Sequence, residues 1–394
     1  MKNICVVVDN ELNYDVRVLR EIRILQEQYE VHVVCYGVKG KKYSPIEGVI
    51  LHRIRINNFL IGKLFFLSNF IPLFGLIWTR KISKIIKSIE LHAIHAHDLY
   101  MSKIVYKAIL KSKSKVPFIL DLHENYPEAV KHYNWTKGFL RNLIAQPHKW
   151  TKVEKEYLSY PEKLIVLSAD YRKIILEKYN FLKEYNVIDI PNVPEIKSFG
   201  KISKVDLKFD PDNLIFFYFG GIAERRGIFE TIEAFTTIVK ANGNAKLLLI
   251  GPVDKVDRKR FFELISNTEI SESIIYIPWI DLSALPSYMN IAHVGLAPFE
   301  KNDQHESGIA NKIFQYMYGS LAILASDCKP QRELIQQENS GLIFFSQDEL
   351  ISKMNYFIQN KDIAIQMGEN GKKALSEKYN ISLYKTKMLN FFQF

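Results

Sequence analysis

Short runs of β-branched and aliphatic residues alternate along the chain with longer segments whose apolar positions recur every three to four residues. In the first half, the runs at 4–8, 31–36, 49–56, 94–96, 118–122 and 164–167 predict strands. The helical period returns between several of them. Over 14–28, for example, Val16, Leu19, Ile22 or Arg23, and Gln26 mark one face. Unbroken runs such as Val6-Val7-Val8 and Ile165-Val166-Leu167 suit parallel strands covered on both sides. The pattern predicts an α/β fold with a doubly wound sheet.

The alternation stops at Ile190-Pro191-Asn192-Val193-Pro194 and a polar, Lys-rich stretch that runs to Pro211-Asp212. It then restarts, with strands predicted at 214–219, 245–250, 274–277, 293–297, 321–325 and 342–345, and helices at 227–240, 330–337 and 347–359. The end, 363–394, reads as helical. At ~150 residues per domain, 394 residues fit two domains. The expected division is 1–191, 192–375, and a C-terminal helix over 376–394 that is a candidate to cross back to the first domain. Two such domains in tandem predict a ligand cleft between them, fed by the carboxyl ends of the strands.

Composition narrows the class only a little. With 47% hydrophobic and 24% charged residues, the chain is an ordinary globular one, neither disordered nor fibrous. Its net charge of +10 suits nucleic acid, phosphorylated small molecules or an anionic membrane. Cys5, Cys35 and Cys328 are too far apart for a disulfide framework or metal knuckle, so a reducing compartment is expected. The N-terminus reads as a first buried strand and not as a signal peptide. One stretch competes with this plain picture. Residues 59–78 are mostly apolar and long enough to span a bilayer, yet Gly62, Lys63, Asn69, Pro72 and Gly75 interrupt them. Core or interdomain packing, a surface touching membrane or lipid, and a true span are the three readings. Arg80, Lys81, Lys84 and Lys87 follow directly, as beside an interfacial contact.

Four segments just after strands could carry chemistry. In Gly220-Gly221-Ile222-Ala223-Glu224-Arg225-Arg226-Gly227, glycines allow close backbone approach and a following helix start favours anions. Arg225 or Arg226 would supply a bidentate grip on a diphosphate; the plain alternative is a βα turn with exposed arginines. The loop is neither a Walker loop nor a spaced dinucleotide fingerprint. Next, His305-Glu306-Ser307-Gly308-Ile309-Ala310-Asn311 leads into a helix on which Lys312 and Gln315 share a face, against the alternative of a solvated loop before a core helix. Third, His123 and Glu124 end one strand while His95, His97 and Asp98 end its neighbour, so the two clusters should converge to orient a hydroxyl or share a proton. A lone histidine is more often structural. No third ligand is spaced to complete a metal site around His95 and His97. Last, Asn13 or Asp15 caps the first helix, with Arg17 in its first turn as an exposed charge or a ligand contact.

Together these segments resemble the retaining glycosyltransferases of family 4, which adopt the GT-B fold of two facing Rossmann-like doubly wound domains with an interdomain cleft. The resemblance runs from about residue 2 to about residue 341. Arg226 matches the family's basic residue on the donor diphosphate, normally lysine, and Gly221 falls where many members carry an arginine. Ile190-Pro191-Asn192 is similar to the strand-Pro-Asn hinge, and Leu247-Leu248-Leu249-Ile250-Gly251 to the donor-domain strand that ends in glycine. His123 in Asp-Leu-His-Glu matches the histidine near the transferred sugar. The helix Val16-Arg17-Val18-Leu19-Arg20-Glu21 is similar to members that lack the usual first-loop glycines. Asn311-Lys312-Ile313-Phe314-Gln315-Tyr316-Met317 is close to an Asn-Lys-x-Phe-Glu-Tyr-Met helix, and Glu333 matches a later family glutamate. The departure is that Ser307 and Gln315 stand where the family usually has two glutamates. Gln315 can still bond ribose hydroxyls, and Glu306 or His305 would have to substitute for the first.

The resemblance implies a sugar transferase. It would use a nucleotide-diphosphate-sugar donor and a glycan or lipid-linked acceptor, with retention, in bacterial surface polysaccharide or glycan synthesis. His123, Arg226 and Lys312 are the expected catalytic residues. Gly220, Gly221, Arg225, Gly251, His305, Glu306, Ser307, Gly308, Ile309, Asn311, Gln315 and Glu333 are expected on the donor. Asn13, Asp15, His97, Asp98 and Glu124 are expected on the acceptor side. No cofactor or metal is expected, because cationic side chains would neutralise the diphosphate. The expected location is cytoplasmic, with peripheral contact at the inner face of an anionic membrane. A degenerate GT-B nucleotide-sugar binder and a GT-B epimerase or phosphorylase are the alternatives. A nucleic-acid partner is not expected, because Lys81, Lys84, Lys87, Lys107, Lys111, Lys113 and Lys115 lack interleaved aromatic platforms.

Overall fold

A computed structural model describes residues 1–394 apart from 14, 42–45, 137, 195–199, 208, 211, 243 and 267–269. Tyr14, part of the Lys-rich connection and Pro211 therefore lie outside the described residues. The chain forms two compact units, Met1–Pro191 with Tyr384–Phe394, and Asn192–Leu383. Residues 376–383 thus belong to the second unit.

The first unit is built on the parallel strands β1 (Lys2–Val7), β2 (Tyr29–Val38), β3 (Val49–Ile56), β4 (Leu91–His97), β5 (Phe118–Asp121), β6 (Lys163–Val166) and β7 (Val187–Asp189). Their order is β3-β2-β1-β4-β5-β6-β7. The three-residue β7 carries too short an apolar run to be read from sequence, and it forms by pairing with β6. The second unit carries β8 (Leu214–Phe219), β9 (Ala245–Ile250), β10 (Ile274–Ile277), β11 (Val294–Ala297), β12 (Ala322–Ser326) and β13 (Gly341–Phe344), in the order β10-β9-β8-β11-β12-β13. Strand order reverses between β1 and β4 in the first sheet and between β8 and β11 in the second. In doubly wound sheets a ligand sits at that reversal, beyond the carboxyl ends of the strands.

Each unit has its own core. Val6, Val7, Phe216 and Leu248 lie inside with almost no exposure, as parallel strands covered on both faces require. The first helix is Val16–Leu25, shorter than the 14–28 read from periodicity, with residues 26–28 in a turn. The C-terminal stretch is two helices, Lys361–Glu377 and Ile381–Phe391. The latter packs on the first unit, where Lys387 Nζ reaches Asp189 Oδ1 at 3.1 Å.

The apolar stretch 59–78 is not one helix. It divides into Asn58–Phe66 and the start of Leu73–Ser88, with Pro72 at the cap where a continuous helix would lose a hydrogen bond. Among the described residues no helix is long and apolar enough to cross a membrane, which removes the spanning reading. Phe74 and Trp78 are core residues, and Trp78 Nε1 donates to Tyr36 Oη at 3.0 Å. Phe59, Leu60, Phe70, Ile71, Leu73 and Leu76 stay exposed.

Candidate active site: two strand-end clusters of opposite charge

In the second unit β8 runs straight into Gly220 and Gly221. Gly220 has φ +130° and Gly251, at the end of β9, has φ +143°. A Cβ on Gly251 would stand 2.1 Å from the Gly220 carbonyl oxygen, so glycine is required for the two strand ends to lie this close. Residues Glu224–Arg226 make a single 3₁₀ turn, and the helix Ile228–Asn242 follows. Arg225 and Arg226 are half-buried, and the Arg226 guanidinium lies 5.3 Å from the Phe299 ring centre. The arginines are therefore not simply exposed turn residues.

Lys312 completes this corner from the first turn of the helix Asn311–Tyr318. It is buried, its Nζ lies 3.4 Å from the centre of the Tyr218 ring, and among the described residues that Nζ has no hydrogen-bond partner. Burial and then the neighbouring Arg226 push its pKa well below the ordinary lysine value. An unpaired buried amine is costly, and an arriving anion relieves that cost. The helix start is capped by Ala310, which has no side-chain oxygen to occupy the first N–H groups. Asn311 is exposed there, and Gln315 is half-buried one turn on. Gly308 is extended and Ile309 half-buried.

The candidate substitutes for the family glutamates are placed differently from expectation. Ser307 is buried, and its Oγ donates to the Asp303 carbonyl at 2.6 Å, so this hydroxyl is turned into its own loop. Glu306 Oε1 accepts the Lys329 N–H at 3.1 Å, at the start of the helix Lys329–Gln337. The His305 ring packs on Phe299 and bonds the Glu300 carbonyl through Nδ1 at 2.6 Å. Glu333 is exposed, 3.9 Å from Lys329. These four hold the loop together more than they line an opening. The short side chain of Ser307 and the local backbone partners decide that outcome.

The first unit gathers a different set at its reversal. The segments after β4 and β5 meet: His97 Nδ1 and His123 Nε2 are 2.8 Å apart and share one proton. Asp121 Oδ2 lies 3.6 Å from His97 Nδ1 and 3.7 Å from His123 Nε2. Arg17 grips Asp121 bidentately, Nε to Oδ2 at 2.9 Å and Nη2 to Oδ1 at 2.8 Å, and its Nη1 donates to the Ile190 carbonyl. Arg17 is 4% exposed, which removes the exposed-charge reading of the two. Burial alone would raise the Asp121 carboxyl; Arg17 beside it overrides that and holds it well below the usual range. Burial pushes His123 down to about 4, so its ring is neutral near pH 7.

Asp98 takes φ +71° and ψ 140°, a conformation rare for a residue with a side chain, and strain of this kind concentrates at functional positions. Burial, then Asp9 and Glu124, raise its carboxyl well above the usual range. Tyr100 Oη donates to Asp9 Oδ1 at 2.9 Å and lies 3.3 Å from Asp98 Oδ2, so a protonated Asp98 can donate to the phenol oxygen. Glu124 accepts from Tyr133 Oη at 2.5 Å. Asp15 is the helix cap, accepting the Val18 N–H at 3.0 Å. Asn13 accepts from Arg53 Nη2 at 3.2 Å.

Behind His97 the fold assembles a set that spacing did not reveal. Glu21, His95, His97 and Asp121 offer ligand atoms within 4.8 Å of one another. The helix and β5 bring in the two carboxylates from 70 or more positions upstream of His95 and 24 downstream of His97. Arg17 and Arg20 stand beside Glu21, at 3.2 Å and 3.9 Å, so two guanidiniums face the two carboxylates. This cluster corrects the expectation that no third ligand stands with His95 and His97.

Asp98, Tyr100, Glu124, Tyr126, Tyr133 and Trp135 line a cavity of about 620 Å³. Tyr100, Tyr133 and Trp135 were not singled out in the sequence; the aromatic density of 126–135 beside the Asp-Leu-His-Glu motif is the signal that was available.

Residues 16–192 match the model of Glycosyltransferase Family 4, and residues 201–374 match that of Glycosyl transferases group 1. The capsular polysaccharide biosynthesis glycosyltransferase CapM of Staphylococcus aureus is 23% identical over 174 residues, 43% of this chain and 43% of that relative. The match thus spans less than half the length of the curated relative. Sucrose-phosphate synthase from Thermosynechococcus elongatus superposes with a TM-score of 0.77 at 16% identity, covering 100% of this chain and 98% of that one. HepE of Anabaena, solved in complex with UDP-glucose, gives 0.69 at 12% identity over 99% of each chain. With two parallel doubly wound units and matches to the family models of both, the chain belongs to the family 4-type GT-B glycosyltransferases.

Proposed function

We propose that this protein transfers a sugar, with retention of configuration, from a nucleotide-diphosphate-sugar to a glycan or lipid-linked acceptor in bacterial surface polysaccharide synthesis. The observation that carries this reading is the corner of the second unit where Arg226 and the buried Lys312 Nζ both lie by the Phe299 ring, with Lys312 beside Gly220. A relative named for capsular polysaccharide biosynthesis and a similar fold solved with UDP-glucose support the substrate class. As the bond from the sugar C1 to the diphosphate breaks, negative charge gathers on the departing phosphates. Arg225, Arg226, Lys312 and nearby N–H groups meet that charge, stabilising the transition state electrostatically. No flanking pair of carboxylates is needed, because the diphosphate leaves readily. His123, neutral and fixed through His97, positions the sugar by hydrogen bonding, and the leaving phosphate takes the acceptor proton.

With cationic side chains on the phosphates, transfer proceeds without a metal ion. Activity retained in excess chelator is the expected result, and its abolition there would contradict that part of the reading. The exposed residues of 59–76 support peripheral contact with the inner face of the cell membrane.

Thermal melting of the protein with UDP, GDP, CDP, ADP and CMP compounds tests the donor site. A true ligand at 100 times its Kd adds about 2.7 kcal/mol. Absence of stabilisation by every nucleotide would overturn the assignment. The inward-turned Ser307 and the uncharged Gln315 favour one second reading, a nucleotide-sugar binder that no longer transfers. Tight binding without hydrolysis or transfer across an acceptor panel would establish it.

A further inference from the structure

The cavity that Asp98 and Glu124 line has a neighbour of different chemistry. The first, of about 620 Å³, presents Asp98, Glu124 and Arg141 among aromatic walls that include Phe66, Tyr133 and Trp135. Carboxyl oxygens accept from hydroxyls, and flat apolar rings cover a sugar face, so this cavity suits a sugar. The second, of about 290 Å³, shares Phe65 and Tyr100 with the first and has no carboxylate in its lining. Its polar groups include Lys103, Lys107 and Lys149, and its walls are apolar, with Phe74, Ile104 and Trp150 among them. A ligand that fills both carries hydroxyls at one end and an anion beside hydrocarbon at the other.

The mouth of the second cavity shows where the hydrocarbon continues. Ser68, Asn69, Pro72 and Leu76 line it, and Phe70 and Ile71 in the same turn are 58% and 48% exposed. Asn69 Nδ2 donates to the carbonyls of Ile144 and Ala145, at 3.2 and 2.8 Å, tying this turn to the helix Phe139–Ala145. That helix exposes Phe139 (84%), Leu140 (69%) and Leu143 (58%). Single exposed apolar residues are ordinary, but two linked segments that both expose them mark a binding surface.

We infer that the carboxyl-bearing aromatic cavity and the lysine-bearing apolar cavity form one acceptor site for a sugar carried on a lipid phosphate. The sugar lies by Asp98 and Glu124, the phosphate by Lys107 and Lys149, and the chain leaves over Phe70 and Ile71 toward a bilayer. This assignment rests on the transferase reading and narrows its acceptor to the lipid-linked class. Lys103 is taken up by Glu156 (2.8 Å) and Lys149 Nζ donates to the neutral Asn69 (3.2 Å), so the phosphate is assigned to Lys107 and Lys149. Charge-assisted bonds from held amines discriminate a phosphate ester from its alcohol.

The test titrates the full chain with farnesyl phosphate, farnesol and inorganic phosphate by calorimetry, and in a separate arm with phosphatidylglycerol vesicles. Farnesyl phosphate is expected to bind at least about tenfold tighter than either partial ligand. The double variant Lys107→Glu/Lys149→Glu should lose at least about tenfold of that affinity, and Ile104→Phe, which narrows the apolar wall, should weaken farnesyl phosphate and farnesol alike. Each variant is checked for unchanged melting and unchanged stabilisation by the nucleotide that stabilises the parent. Equal affinity for farnesol and farnesyl phosphate, or affinity untouched by both variants, would overturn the site. Binding to phosphatidylglycerol vesicles alone, with no affinity for farnesyl phosphate, would reduce it to surface adsorption and also overturn it. Nucleotide stabilisation that survives such a failure leaves the transferase reading standing. Loss of both in the parent protein removes the two together.

Discussion

The two sheets share a strand order and differ at their carboxyl ends. Beyond β8 and β9 the chain places Gly220, Gly251, Arg225, Arg226 and, from a later helix, Lys312. At and beyond the ends of β1, β4 and β5 it places Asp9, Asp98, Asp121, His123 and Glu124. One end is cationic with a buried amine left unpaired; the other is rich in carboxyls and imidazoles bonded to one another. The fold therefore supplies a location twice, and the few residues just past the strands decide what chemistry each location can do. A diphosphate suits the first end. Hydroxyls and shared protons suit the second.

The comparison can be broken most directly through Arg17. Arg17→Met leaves the buried Asp121 carboxylate without its bidentate partner and should cost about 3–5 kcal/mol of stability in denaturant melts. Adding Asp121→Asn should recover part of that loss, because the uncompensated charge goes too. A mild single variant would show that the network is not the keystone of the first unit. In the second unit, Arg226→Ala should lower turnover by about 10²–10³ with melting unchanged, the loss typical of one leaving-group contact. Near-normal transfer would contradict the donor site.

Lys312→Met sharpens the contrast. Removing a buried amine that lacks a partner should stabilise the ligand-free second unit, by about 2–4 °C in Tm for each kcal/mol, while nucleotide binding falls. A lower Tm would mean that the amine is compensated in a way the geometry does not show. The smallest effect is on pH. His293 Nδ1 accepts the Ile215 N–H at 3.1 Å, and burial with Lys361 nearby lowers this histidine to about 4. The unfolded chain therefore takes up the proton first, and this contribution to stability is lost as pH falls from about 6.5 toward 4. In the first unit the depressed His123, His95 and Asp121 act in the same direction, while burial raises Glu21 to about 7 and Asp9 to about 6, and those two stabilise the fold toward acid. Hydrogen exchange followed by mass spectrometry should show β8 loosening as pH falls from about 6.5 toward 4, after correction for intrinsic rates, and His293→Gln should flatten that change. An unchanged profile in the variant would undo the assignment of this proton.

Much of the strand framework was legible because parallel strands buried on both faces need unbroken apolar runs. The runs at 49–56, 214–219, 245–250 and 274–277 coincide with strands residue for residue. Strand β7 escaped because three residues carry no period. The 59–78 stretch misled for a related reason: hydrophobicity does not say which side chains face a core, and Trp78 and Phe70 read alike until one is buried and the other exposed. At the candidate site, the motifs single out His123, Arg226 and Lys312. They could not show that Ser307 turns inward, or that Tyr100 bridges toward Asp9 and Asp98.

What the sequence alone determined is what local pattern encodes: two rounds of alternating strand and helix, the break near Pro191, and glycines where strand ends approach one another. Tertiary structure decided which charges are buried and which are paired. Arg17 reads as a surface residue of a helix until β5 brings Asp121 against it, 104 positions along the chain. Lys312 stands in a recognisable motif, but only Tyr218 and Phe299 closing around it make its amine a buried one. The energy of a charge depends on its surroundings in three dimensions, and those surroundings come mostly from residues distant in sequence.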